Sequence, residues 1–245
     1  MTNVISRRKM STVESRLEKA AAQRLCYNCG EPAAARTDDH IPPKALFPKG
    51  TSANLITVPS CYQCNQQMSL DDQYFATVLA GRWNDNPTQS TVFEQKVSPQ
   101  LQNEEFDGLR KMLLARSRPI WLPAGDGFVE TGILNVNMDR IKRVLRKIVR
   151  GLYYHHRGVP LPTADAVSIY FDPKDWRPEL ANWARTHVVV EPDVFEYLYA
   201  FPGPESSLSG LSGWMLRFYR KTIAVAFTIP PDLAPRIPPR KAVSR

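Results

Sequence analysis

The sequence predicts an α+β fold in two parts. A small metal-stapled module comes first, and an α+β domain with a basic helix and antiparallel strands follows. Three observations carry this. Two Cys-x-x-Cys pairs, Cys26/Cys29 and Cys61/Cys64, have 31 residues between them. Residues 138–156 repeat apolar side chains at helical spacing. Short β-branched and aromatic runs between turn signals recur in the second half. At 245 residues the chain is long for one core. It divides into a module over 1–90, an α+β domain over 91–229 and a Pro-rich basic tail over 230–245.

The elements follow in order. Ser11 and Glu14 form a capping box, and Leu17, Ala20, Ala21 and Leu25 continue at helical spacing, so a helix is predicted over 12–24. Residues 30–60 read as two extended segments around a Pro- and Lys-containing loop. Pro42 and Pro43 forbid regular continuation past Ile41. Residues 55–58 are β-branched and strand-like, and a helix is expected from Cys61 to about Arg82. The polar stretch 84–100 has two prolines and no period, which marks a boundary. A helix near 101–116 and a strand over 128–136 come next. Asn137 caps a helix over 138–156 that Gly158 closes. Strands are predicted at 166–171, 187–190, 214–219 and 222–229.

Composition narrows the class. With 43% hydrophobic and 23% charged residues, wholesale disorder is excluded. No apolar run approaches the roughly 18 residues of a membrane span. The first residues lack the apolar stretch of a secretory signal. The expectation is a cytoplasmic chain in a reducing compartment, without disulfides. The net charge of +8 is uneven: residues 1–24 carry +4, 136–158 carry +6 and 236–245 carry +4, leaving −6 for the rest. Such clustering is the footprint of a phosphate-binding protein. Arg140, Arg143, Lys147 and Arg150 recur at steps of three and four, on another face of the 138–156 helix than its apolar stripe. They are the expected nucleic-acid contacts.

The cysteines predict a structural metal. Two Cys-x-x-Cys pairs converge on one tetrahedral Zn²⁺, and four thiolates leave no open position for catalysis. Asp39 and His40 end an extended segment, and neighbours on a regular strand point to opposite faces. For both to serve one site the strand must be irregular there, and Pro42-Pro43 supply that irregularity. Asn65 follows the last cysteine on the first turn of a helix. An Asp and an Asn oxygen suit a hard divalent cation, and a neutral histidine beside it is a ready general base.

The series Cys-x-x-Cys, Asp-His-Ile-x-Pro, Asn-Leu, Cys-x-x-Cys-Asn resembles the zinc-bearing branch of the HNH endonucleases, the His-Me finger or ββα-metal nucleases, in the motif layout of the phage endonuclease VII type. The matched region is about residues 24–82. The resemblance implies a hairpin carrying Asp39 and His40 and a helix carrying Asn65. It implies His40 as water-activating base, Asp39 and Asn65 as ligands of catalytic Mg²⁺ or Mn²⁺, with Asp38 the alternative to Asp39 that the family register favours less, and Asn54 as the residue that holds the loop. Cys26, Cys29, Cys61 and Cys64 take the zinc. The chain departs from the family pattern in two places. Gly50 stands alone in its loop, and Gln66-Gln67-Met68 replaces the usual basic residue after Asn65. Lys44 and Lys49 are then candidates for the phosphate contact. The implied function is metal-dependent hydrolysis of DNA, with RNA also allowed, in a setting such as phage defence or a mobile element. A protein partner for the second domain is a further expectation. The alternative is a zinc-stapled nucleic-acid-binding or assembly module that does not cut.

Overall fold

A computed structural model describes residues 24–32, 37–51, 55–82, 86–162, 166–173, 186–202 and 211–231. The helix predicted over 12–24 lies almost wholly outside these residues, and the Pro-rich tail beyond 231 lies wholly outside. The chain is mixed α and β, with four cysteines clustered in its first part.

The first part is a hairpin followed by a helix. Strand β1 (Thr37–Ile41) pairs antiparallel with β2 (Ile56–Ser60), Asp39 opposite Val58 and His40 opposite Thr57. Proline ends β1 where expected: Pro42 and Pro43 follow Ile41, and a short 3₁₀ turn spans Lys44–Leu46. Helix α1 (Tyr62–Ala80) starts at Cys61, whose side chain accepts from the Cys64 backbone N–H.

The 84–100 stretch differs from the expectation of an irregular boundary. It forms α2 (Pro87–Val92), a π turn (Phe93–Val97) and α3 (Ser98–Gln102). Its polar residues serve as caps. Asn86 accepts from the Gln89 N–H, and the buried Gln89 amide donates to the carbonyls of Leu79 at 2.9 Å and Arg82 at 2.7 Å. Those carbonyls end α1 and would otherwise be orphaned. Helix α4 (Asp107–Ala115) follows, then a projecting hairpin of β3 (Ser117–Ala124) and β4 (Gly127–Leu134). β3 carries Pro119 and Pro123. Four residues apart, they share one edge of a two-stranded ribbon, where no ladder donor is needed.

Helix α5 (Met138–Arg157) matches its prediction. Asn137 accepts from the N–H groups of Asp139 and Arg140, and Gly158 closes the helix at φ 69°. Its apolar stripe, Ile141, Val144, Leu145, Ile148 and Leu152, is fully buried. Each such side chain contributes about 1.5–3 kcal/mol relative to exposure. The stripe packs on α1, on the β1–β2 hairpin and on a five-stranded antiparallel sheet. The sheet order is β5 (Ala166–Phe171), β9 (Thr222–Ile229), β8 (Ser212–Phe218), β7 (Phe195–Ala200), β6 (Thr186–Glu191).

One continuous core joins these pieces. Phe75 of α1 meets Phe218 of β8 edge to face at 5.4 Å, and the Tyr219 hydroxyl donates to the Leu46 carbonyl at 2.6 Å. Gly151 lets α5 approach the hairpin, because a Cβ there would overlap Cγ1 and Cδ1 of Ile41. The helix thereby lies directly against β1. Among the described residues no helix is long and apolar enough to cross a membrane.

Candidate metal centre and the polar site beside it

The cysteines meet as their spacing predicts. A tight turn over residues 26–30, closed by the Gly30 N–H on the Cys26 carbonyl at 2.9 Å, brings Cys26 and Cys29 together. The root of α1 supplies Cys61 and Cys64. All four thiol sulfurs lie within 4.8 Å of one another, and none is in a disulfide. Tetrahedral Zn–S bonds of about 2.3 Å require sulfurs about 3.8 Å apart. The Cys29 and Cys61 sulfurs are 3.9 Å apart. Donors already face the sulfurs: the Cys64 N–H on Cys61 at 3.4 Å and the Asn28 amide on Cys64 at 3.5 Å. Burial opposes ionisation of Cys26, yet the backbone N–H groups of Cys29, Cys61 and Asn28 outweigh it and bring the thiol down to about 7. Burial pushes Cys29 and Cys64 up. The residues fit a closed, structural zinc.

The hairpin places Asp39 and His40 apart. β1 stays regular through Ile41, so the irregularity that would let both side chains serve one site is absent. Asp39 and Ile41 lie on the buried face; Asp38 and His40 share the outer one. His40 is half-buried, and burial, together with the Lys44 charge, holds its imidazole below the ordinary value. It is therefore neutral at pH 7 and able to accept a proton.

Asp39 is already occupied. The Tyr27 hydroxyl donates to its Oδ2 at 2.8 Å, and the Lys147 ammonium sits 3.0 Å from the same oxygen. Lys147 is 2% exposed and also reaches Asp72 at 2.5 Å. Burial pushes Asp72 up to about 6, against the pull of Lys147. Its other oxygen, Oδ1, has no hydrogen-bond partner among the described residues. An ammonium thus neutralises the carboxylate that the family pattern assigns to a divalent ion. In this arrangement Asp39 does not fit a catalytic cation shared with His40. Asn65 is on the first turn of α1, as predicted, its N–H on the Cys61 carbonyl at 3.1 Å. Asn54 lies outside the described residues.

The basic face of α5 is a seam rather than an open surface. Arg140 and Arg143 both hold Asp71, at 2.5 and 2.7 Å, and Arg140 also lies over the Tyr74 ring. Burial works to raise Asp71, but the Arg143 and Arg140 hydrogen bonds hold it below its ordinary value. Arg150 donates to the carbonyls of Asn28 and Leu161. The expectation of four residues facing nucleic acid is corrected for Lys147, which is inside the protein. The reason is that α1 sets Asp71 and Asp72 opposite this face. Arg143 remains half exposed, beside Arg146.

Lys44 and Lys49 are exposed, as a phosphate contact requires. The π turn adds a residue that the sequence did not flag, Lys96, whose ammonium donates to the Lys44 carbonyl at 3.1 Å. No sequence signal pointed to it, because 84–100 has no clear period.

No protein-family model, no curated protein and no solved structure matches the chain. The class that fold and site define is an α+β protein whose β-hairpin and following helix meet at a cluster of four thiols that could hold a metal ion.

Proposed function

We propose that the chain is an HNH-type endonuclease that hydrolyses phosphodiester bonds in DNA. The order hairpin, then helix, with two cysteine pairs converging at their junction, is the observation that carries this reading. It is supported by a neutral, half-buried His40 on the outer hairpin face, with basic side chains near it. His40 takes a proton from water while the water oxygen bonds to phosphorus, and the bond from phosphorus to the 3′ oxygen breaks. The proton rests on His40, and the leaving oxygen takes one from solvent. The zinc holds the hairpin and the root of α1 in register and takes no part in bond breaking.

A second reading is a zinc-stapled binding or assembly module that does not cut. The Asp39–Lys147 pair favours it, because it gives Asp39 a structural use. Supercoiled plasmid and single-stranded RNA, each incubated with zinc-loaded protein in Mg²⁺, Mn²⁺ or chelator, separate the two. Cleavage that His40→Ala abolishes supports the nuclease. Binding without cleavage in every condition supports the module.

A further inference from the structure

Three lysines from two separate parts of the chain lie near one another, and one of them, Lys44, is close enough to His40 for its charge to act on the imidazole. Lys44 stands in the 3₁₀ turn, Lys49 in the loop after it, and Lys96 in the π turn Phe93–Val97. The two segments are docked on each other: Lys96 Nζ donates to the Lys44 carbonyl at 3.1 Å, and the Lys49 N–H donates to Gln95 Oε1 at 3.4 Å. Among the described residues none of the three has an ion-pair partner. Other cations here do find acids; Arg140, Arg143 and Lys147 share Asp39, Asp71 and Asp72.

Lys44 links the cluster to the histidine, since its charge, after burial, lowers both His40 and Lys96. Gathering like charges without counter-charge costs stability. Local departures of this kind gather at functional sites, as do π turns inserted in helices. An anion is the ligand that relieves the repulsion. An ammonium is a compact charge with three donors, suited to the non-bridging oxygens of a phosphate.

We propose that Lys44, Lys49 and Lys96 form a binding site for a backbone phosphate of duplex DNA beside His40. Lys96 is the member supplied from outside the hairpin–helix module. This rests on the nuclease reading.

The test uses the full zinc-loaded chain carrying His40→Ala, so that DNA stays intact, and fluorescence anisotropy of a labelled duplex between about 50 and 200 mM salt. Lys96→Gln removes the charge and leaves a polar amide in the side chain. It is expected to weaken binding for every sequence alike and to flatten the slope of log K against log salt by about 0.9. Lys96→Arg should retain the parent slope. So should Arg118→Gln, an equal charge loss on the projecting hairpin. A parent slope in Lys96→Gln overturns the phosphate site. If the unmutated chain still cuts plasmid in that case, the nuclease reading stands. A chain that neither binds nor cuts duplex DNA ends both.

Discussion

Lys147→Met tests the buried network most sharply. The change keeps an apolar stem of similar length and removes the ammonium. It leaves two carboxylates, Asp39 and Asp72, facing each other in a site where the lysine is 2% exposed. Breaking one side of a buried ion pair costs about 3–5 kcal/mol, against a total stability of about 5–15 kcal/mol for a domain. The pH dependence gives an independent signature. Asp72 titrates at about 6 in the folded chain and about 3.9 unfolded. Its contribution to stability is fully present below about 4 and is lost as pH rises through about 6, a span of about 3 kcal/mol. Without the ammonium the folded value rises further, so the variant should recover more stability than wild type on moving from pH 7 to pH 5. Urea unfolding at both pH values, followed by tryptophan fluorescence, measures this. Adding Asp72→Asn should return part of the loss at pH 7. A deficit under about 1 kcal/mol, or a pH profile parallel to wild type, would refute the view that this lysine balances the buried acids.

Two further predictions concern how the hairpin is held. Cys61→Ser removes a thiolate at the root of α1. Metal analysis should fall from about one zinc per chain towards none, and the hairpin–helix part should lose its cooperative melt. Gly151→Ala forces α5 away from Ile41 and should cost about 1–3 kcal/mol. Ile41→Val in the same chain should recover part of it, and a thermal midpoint equal to wild type would show that the close approach is not needed.

Much of the fold is written locally. Helix α5 was legible to within a residue because its cap, its apolar stripe and its closing Gly158 are all in one stretch of sequence. The cysteine cluster was legible because four ligands at that spacing have few other uses. What escaped depends on partners far along the chain. The 84–100 stretch looked irregular because two of its polar side chains become buried: Asn86 caps α2, and Gln89 caps the end of α1. β3 was hidden by two prolines that only a free ribbon edge accommodates. β7 was missed as well. It alternates aromatic residues without a β-branched one, and it follows a turn in which Asp193 takes a φ of 66°. The face carrying Arg140, Arg143 and Lys147 looked like a surface because Asp71 and Asp72 lie about seventy residues earlier. At the site, the prolines after Ile41 suggest an irregular strand that brings Asp39 and His40 together, but β1 keeps its alternation and sets them on opposite faces. The prolines end β1 cleanly and do not kink it.

On the proposed nuclease reading, His40 accepts a proton during phosphodiester hydrolysis. Single-turnover nicking of supercoiled plasmid by zinc-loaded wild type and His40→Ala, with zinc content and melting curve confirmed equal, measures it most directly. The expected result is a rate lower by about 10²–10⁴ in the variant. Equal rates for the two proteins, or no nicking by wild type under any divalent cation or in chelator, would contradict it.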